Sequence, residues 1–371
     1  MKLFFLVPIL VLTIYSFAQQ KTEYVVKEDT TFFKRIISLK NGEGAPDFSE
    51  PLTQKYLNSG DYRIGIQNTI RISPDNLLYL GFDNDIIDYT DRFYTNGLCF
   101  SLIGPLLSEN ILNHLLLPYW DMGLNYYGIT LVQNMYTPAT TKVGGIHYGD
   151  RPYSAYLLAG AFKITIDRSH QFRQRSKLSV GVIGPLSFDS WIQEMFHAGV
   201  QGNDEPLGWE YQIKTDLVLN YDIQYEKGII NSRYAALNLV ANSSIGTLYT
   251  NTGGGFHFMT GWMNPYFINL GIAKRPYLIT NGLRMFQFIF FFKGSAKLVG
   301  YDATLVGGMF NRTSSYIIPS ESITRLVCQT SAGIALSWRG ARIDAEQFLL
   351  SPEFHDGLWH KWVHIALTFA L

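Results

Sequence analysis

Four aspartates crowd the stretch FDNDIIDYTDRFYTNG: Asp83, Asp85, Asp88 and Asp91, with Asn84 among them and Thr95 and Asn96 following. Oxygen donors at this density suit a hard cation such as calcium. The spacing is not that of an EF-hand, because no glycine sits mid-loop with glutamate at the twelfth place. A polar hairpin at the rim of a sheet would have the same composition, and spacing alone leaves both readings open. In SWIQEMFHAGV, His197 follows Gln193 by four residues, which puts both on one helix face. A neutral imidazole takes a proton from water near pH 7; an ordinary packed or exposed helix histidine fits the same residues. His355, His360 and His364 in HDGLWHKWVH have metal-ligating nitrogens, but the run reads better as a loop leading into a final strand. TGGGFHF lacks the Lys-Ser/Thr of a phosphate loop and reads as a bent strand. No GxSxG elbow is present. Lys142, in YTPATTKVGG, reads as a loop charge in solvent.

The elements that must hold these groups are mostly strands. Runs such as DNLLYLGFDND, YTNGLCFSLIG, SAYLLAGAFKITID and WVHIALTFAL are separated by Gly, Asn, Asp and Pro clusters, giving roughly ten to thirteen strands. The longest runs, LRMFQFIFFFKGSAKLVGYDATLV among them, have room for two strands and a turn. In IKTDLVLNYDIQYE, Leu217, Leu219, Tyr221, Ile223 and Tyr225 share one face, and Asp216, Val218, Asn220, Asp222, Gln224 and Glu226 the other. In the last strand Val363, Ile365, Leu367, Phe369 and Leu371 share a face. In SAYLLAGAFKITID, Tyr156, Leu158, Phe162, Ile164 and Ile166 share one with Gly160. Two segments break the pattern and read as helices, Pro105 to Trp120 and Pro185 to Val200. Parity extended upstream places Gln212 with Lys214 and Asp216 on the interior face.

The chain begins with Lys2, an apolar run from Leu3 to Tyr15, and Ser16-Phe17-Ala18, which reads as a secretory signal peptide over 1–18. Residues 19–60 read as an N-terminal extension, and 61–371 as one all-β domain without a linker or fixed-period repeat. Lys plus Arg and Asp plus Glu are both 30, so no basic face argues for nucleic acid. Cys99 and Cys328 admit a disulfide in an exported protein, although Cys99 also reads as a packed strand residue. Alternation fits a soluble sandwich or a membrane barrel. The signal peptide, the long strands and the alternating last strand favour the barrel, with its apolar face on lipid and its polar face in the lumen.

The motifs DND (83–85), YTNG (94–97), QNMYTP (133–138), GDRPYSAYLLAG (149–160), GVIGP (181–185), QEMFH (193–197) and GWEYQ (208–212) stand in one order behind the signal. Together they resemble the outer-membrane lipid A 3′-O-deacylases. The resemblance implies a transmembrane antiparallel barrel of about twelve strands. It also implies the outer membrane of a Gram-negative bacterium, lipid A or lipopolysaccharide as substrate, and a monomer among outer-membrane lipids. It implies calcium held through Asp85, Asn84 and Thr95, and His197 as the base that activates water. It places Gln193, Gln212 and Lys142 beside them, the glutamines to orient histidine or substrate and the lysine to meet a lipid A phosphate. Other readings are a barrel without catalysis, such as a porin or lipid transporter, and an outer-membrane phospholipase. The phospholipase reading lacks a matching serine motif.

Overall fold

The computed structural model describes residues 71–85, 92–118, 123–187, 207–272 and 283–371. The signal peptide, the extension, Asp88, Asp91, Gln193 and His197 lie outside the described residues. Among the described residues, a two-residue strand β1 (Arg71–Ile72) precedes twelve longer ones. These are β2 Leu77–Asn84, β3 Phe93–Ile103, β4 Leu124–Thr137, β5 Ser154–Asp167, β6 Phe172–Ile183 and β7 Asp216–Asn231. Then come β8 Ala235–Gly246, β9 Tyr249–Trp262, β10 Phe286–Asp302, β11 Leu326–Trp338, β12 Ala341–Leu350 and β13 His360–Ala370. Each of the twelve pairs antiparallel with the next, and β13 pairs with β2, so the sheet closes into a barrel. Closure removes the unpaired edge that a membrane would not tolerate.

Register fixes the two ends. Leu77 lies opposite Ala370 and Asn84 opposite Val363. The lower end therefore holds the start of β2 and the end of β13. The upper rim carries the connections 85–92, 138–153, 184–215, 303–325 and 351–359. In outer-membrane barrels the longer connections face the cell exterior, which makes the upper rim the outer-leaflet side.

Side-chain alternation sets what faces lipid. On β7, Leu217 is 69% exposed and Leu219 54%, while Val218 and Asn220 are buried. On β13, Ile365 and Phe369 are exposed while Trp362 and Ala366 are buried. Both strands follow the faces read from their sequences. The interior holds apolar clusters toward its two ends and a belt of charged pairs between them, Lys177–Asp222, Lys293–Glu346 and Arg342–Asp344. Its upper part holds Tyr156, Leu158, Val218 and Leu248, capped by Phe93, Leu305, Ile318 and Phe354. Its lower part holds Met259, Ile289, Phe291, Tyr126, Ile166 and Phe267.

Three expectations change. On β5 the apolar face points inward: Phe162 and Ile166 are buried, and Tyr156 meets Asn134 and Tyr249 inside. The outward face of β5 is Ala155, Leu157, Ala159, Ala161, Lys163 and Thr165, with Leu157 its one large apolar residue. Other parts of the chain lie over this side of the wall, so it does not need large lipid-facing residues. The Phe286–Asp302 run is one 17-residue strand rather than two, because the following helical turn at Ala303–Val306 starts where a second strand was expected. Pro105 to Trp120 is not one helix: Pro105–Glu109 and Ile111–Leu115 are short 3-10 turns at the lower end. Of the expected Pro185 to Val200 helix only the turn Pro185–Ser187 is described.

Candidate active site

At the upper rim the outward wall turns from apolar to polar. Along β2 the outward positions run Leu78, Leu80, Phe82 and then Asn84, which lies in register with Val363 and Asn96. Against β4 the register of β3 shifts by one between Tyr94 and Asn96, so Thr95 and Asn96 both oppose Met135. A bulge of this kind re-aims side chains; here it turns both residues outward. Thr95 Oγ1 lies 2.8 Å from Thr137 Oγ1, and both threonines are buried. Asp85 follows Asn84, is buried, and accepts a 3.0 Å hydrogen bond from the Arg92 backbone N–H through Oδ2. That bond joins the two ends of the β2–β3 connection.

Gln133, on the outward face of β4, donates from Nε2 to the Ser187 carbonyl at 2.7 Å. This pins the start of the segment that carries Gln193 and His197 to the outside of the wall. The turn just before it needs glycine: Gly184 has φ +93°, and a Cβ there would stand 2.6 Å from the Ile213 carbonyl oxygen. The far end of that segment is held at Leu207, whose N–H donates to the Thr141 carbonyl at 3.0 Å. The Leu207 carbonyl accepts from Tyr153 Oη at 2.7 Å. Both flanks therefore attach beside Asn84, Thr95 and Thr137, on neighbouring strands.

Gln212 caps the 3-10 turn Trp209–Tyr211, four residues before β7 begins, so strand parity does not apply to it. It is nonetheless buried, placed by the neighbouring Ile213 N–H bond to the Tyr153 carbonyl at 2.9 Å and by Trp209 packing on Tyr153. Lys142 is exposed, next to Thr141, in the β4–β5 connection.

Behind this face lies a lock that the sequence did not announce. Arg151 is fully buried and donates to Glu353 at 2.5 Å and to Thr304 Oγ1 at 2.7 Å, with its guanidinium 4.2 Å from the Tyr136 ring centroid. It ties the β4–β5 connection to the helical turn after β10 and to the β12–β13 connection. Burial alone would raise the Glu353 carboxyl pKa, but Arg151 and Lys297 outweigh it and hold the group below its ordinary value. Burial would likewise lower the Arg151 pKa, and Glu353 reverses that.

The C-terminal histidines are structural. His364 stands on the last strand as its sequence pattern implies, and His360, expected in a loop before it, is the strand's first residue; both point inward. His364 Nδ1 lies 2.9 Å from Asp83 Oδ1 and its Nε2 3.0 Å from Tyr79 Oη. Tyr94 Oη donates to the other Asp83 oxygen at 3.0 Å. Asp83 is thus committed to the interior, away from the outward face of Asn84. Cys99 and Cys328 are free thiols.

The donors at the rim fit a hard cation: Asp85 offers one carboxylate, Asn84 an amide oxygen and Thr95 a hydroxyl, all without nitrogen or sulfur. Among the described residues no cluster of three or more His, Cys, Asp or Glu competes as a softer site. A cation here would rest on one described carboxylate and neutral oxygens.

The sequence profile described as "Outer membrane protein LpxR" matches residues 63–371. The chain belongs to the LpxR outer-membrane protein family. A search among curated proteins gave no match. The solved structure of LpxR from Salmonella typhimurium superimposes with a TM-score of 0.63 at 17% identity, covering 80% of this chain and 100% of that one. The β domain of the Bordetella autotransporter BrkA covers 80% of this chain and 98% of its own at 8% identity, with a TM-score of only 0.39. The barrel is the fold shared with Salmonella LpxR, and the outer membrane is where an LpxR-family barrel resides. The sequence named Asn84, Asp85, Thr95 and Gln212 as candidates, and the structure places Asn84, Asp85 and Thr95 at the upper rim and Gln212 buried beside it; sequence reasoning did not single out Gln133, Thr137 or Arg151, whose side-chain contacts join the same region. The available signal for the first two was a polar side chain at outward parity in LVQNMYT.

Proposed function

We propose that this protein is a calcium-dependent lipid A deacylase that hydrolyses the 3′-linked acyl ester. The observation that carries the reading is the polar outward wall at the upper rim: Asn84, Thr95, Thr137 and Gln133 face away from the interior. Polar side chains on a barrel's outer wall are costly in hydrocarbon, by about 2–4 kcal/mol for cations at the midplane and less toward the interfaces. A polar face there serves a substrate that arrives laterally in the bilayer with its ester at headgroup level.

In this scheme His197 accepts a proton from water as the water oxygen bonds to the ester carbonyl carbon. The ester C–O bond then breaks, and the proton passes to the departing sugar hydroxyl. Gln193 and Gln212 orient the imidazole or the acyl ester, and Lys142 meets a phosphate of lipid A as a point charge. Asp85, Asn84 and Thr95 would hold calcium, which when bound polarises the carbonyl and stabilises the negative charge that develops on its oxygen. Gln133 and Tyr153 act through Ser187 and Leu207, fixing where the His197 segment leaves and rejoins the wall.

The apolar clusters at both ends of the interior weigh against a porin, which needs an open channel. Mass spectrometry of lipid A from cells with and without the protein tests the reading. Loss of one acyl chain at the 3′ position is the expected change. Unaltered lipid A together with released glycerophospholipid fatty acids would point to a phospholipase instead.

A further inference from the structure

We infer that residues 105–118 form a strap that lies on the outside of the barrel and inserts Ile111, Leu112 and Leu115 among the acyl chains of the periplasmic leaflet. The connection from β3 to β4 starts at the lower end but does not stay below it. Its Leu117 N–H donates to Ser176 Oγ at 3.1 Å, its Leu117 carbonyl accepts from Gln174 Nε2 at 3.2 Å, and its Leu115 carbonyl accepts from Tyr221 Oη at 3.0 Å. All three wall residues face outward: Ser176 is in register with Ile223 and Gln174 with Tyr225, on the face of β7 that exposes Leu217 and Leu219. Ser176 lies four residues above the lower end of β6, about 13 Å along the strand. The strap has therefore climbed the wall, and its exposed surface continues the membrane-facing one.

Two further features fix the occupant of that surface as lipid. The first is polar satisfaction. Irregular backbone survives beside hydrocarbon only when its N–H and C=O groups find partners within the protein. Asn113 Nδ2 donates to the carbonyls of Leu107 and Ser108 at 2.7 and 2.9 Å. Ser108 Oγ donates to the Pro105 carbonyl at 2.6 Å, and Asn110 Oδ1 accepts from the Leu112 N–H at 2.9 Å. The strap presents Ile111 at 79% exposure and Leu115 at 59%, with Glu109 and His114 also exposed, a mixed surface that suits the boundary between headgroups and acyl chains. The second is level. Lys163 faces outward and pairs in register with Ser176, with its Nζ 5.7 Å from the Tyr127 ring centroid. A lysine on the lipid side is tolerated near the interface, where its cost falls to roughly 0–1 kcal/mol. Lys163 therefore marks the periplasmic headgroup boundary, and the strap sits at that level.

The test uses the full chain with Cys99→Ser and Cys328→Ser, purified and reconstituted in phospholipid bilayers. Nitroxide labels are attached singly at Ile111→Cys and Leu115→Cys, and collision with oxygen and with a water-soluble nickel chelate is measured. Leu219→Cys serves as the lipid-facing control and Tyr148→Cys, in the upper β4–β5 connection, as the aqueous one. The inference expects the oxygen-to-nickel ratio at both strap positions to exceed that at 148 several-fold and to approach that at 219. A ratio matching 148 at both positions would overturn it, placing the strap in water. Label-to-label broadening between copies would overturn it too, by making a second barrel the occupant. Two labelled positions keep the result readable if one substitution prevents folding, since the folded barrel is verified by heat-modifiable mobility before measurement.

Discussion

Replacing Arg151 by methionine should loosen the upper cap without dissolving the barrel. The arginine side chain is 2% exposed and Glu353 16%, so both charges are largely withdrawn from water. Removing one member of such a pair costs about 3–5 kcal/mol when the other is left without a partner; Lys297, its Nζ 3.9 Å from Glu353, keeps the loss here toward the lower end of that range. The barrel wall keeps its own hydrogen bonds, so the loss should appear as local opening of the cap rather than global unfolding. At about 1.4 kcal/mol per decade, amide exchange in the β4–β5 and β12–β13 connections should speed up by roughly a hundredfold to a few thousandfold. Hydrogen–deuterium exchange with mass spectrometry in detergent reads this directly. The double variant Arg151→Met/Glu353→Gln should exchange more slowly than the single one, because the buried carboxylate that lost its arginine is neutralised as well. Acid should mimic the single variant. The folded Glu353 pKa lies below the unfolded value, so its contribution is complete above about pH 4.3 and is lost as pH falls through the folded pKa. Exchange within threefold of wild type in Arg151→Met would refute the lock.

Other outcomes follow from the site. Asp85→Ala should abolish deacylation while heat-modifiable mobility is unchanged, and excess chelator should do the same to the wild-type protein; full activity in chelator would remove calcium from the scheme. His197→Asn should lower the rate by roughly a hundredfold or more, the usual size of general-base catalysis. The wild-type rate should fall on acidification, because the base must be neutral, and wild-type turnover by folded His197→Asn would end its assigned role. Gln133→Leu removes the partner of the Ser187 carbonyl, so turnover should fall with little change in thermal stability. An unchanged rate would show that this anchor does not position the His197 segment.

Much of the wall was legible because outward and inward positions alternate on a two-residue period with apolar residues on lipid and polar ones largely inside, as exposed Leu219 against buried Asn220 shows. The reading failed where that opposition is suspended. β5 points Phe162 and Ile166 inward because the chain itself overlies its outer side, a long-range fact that no local window contains. The Thr95 bulge was equally invisible: YTNG alternates like any strand, and only pairing with Met135 reveals that two successive side chains share a face. The parity argument for Gln212 named a buried residue for the wrong reason, since β7 begins at Asp216 and turn geometry, not alternation, places it. Asn84, Asp85 and Thr95 could be named as candidates because oxygen donors are written in residue type. Gln133 and Arg151 were not, because their importance lies in carbonyls and carboxylates distant in sequence.

The interior is stoppered twice, by Phe93, Leu305 and Phe354 above and by Phe267, Tyr126 and Ile166 below. A cell can therefore carry many copies of this barrel without surrendering its barrier to antibiotics and bile salts. Conductance across a bilayer should not rise with copy number, and the turnover proposed on the outer wall would require no gate to open. Under the proposed deacylation, lipid remodelling and permeability would be uncoupled: the surface chemistry of the envelope could change while the sieve beneath it stays shut.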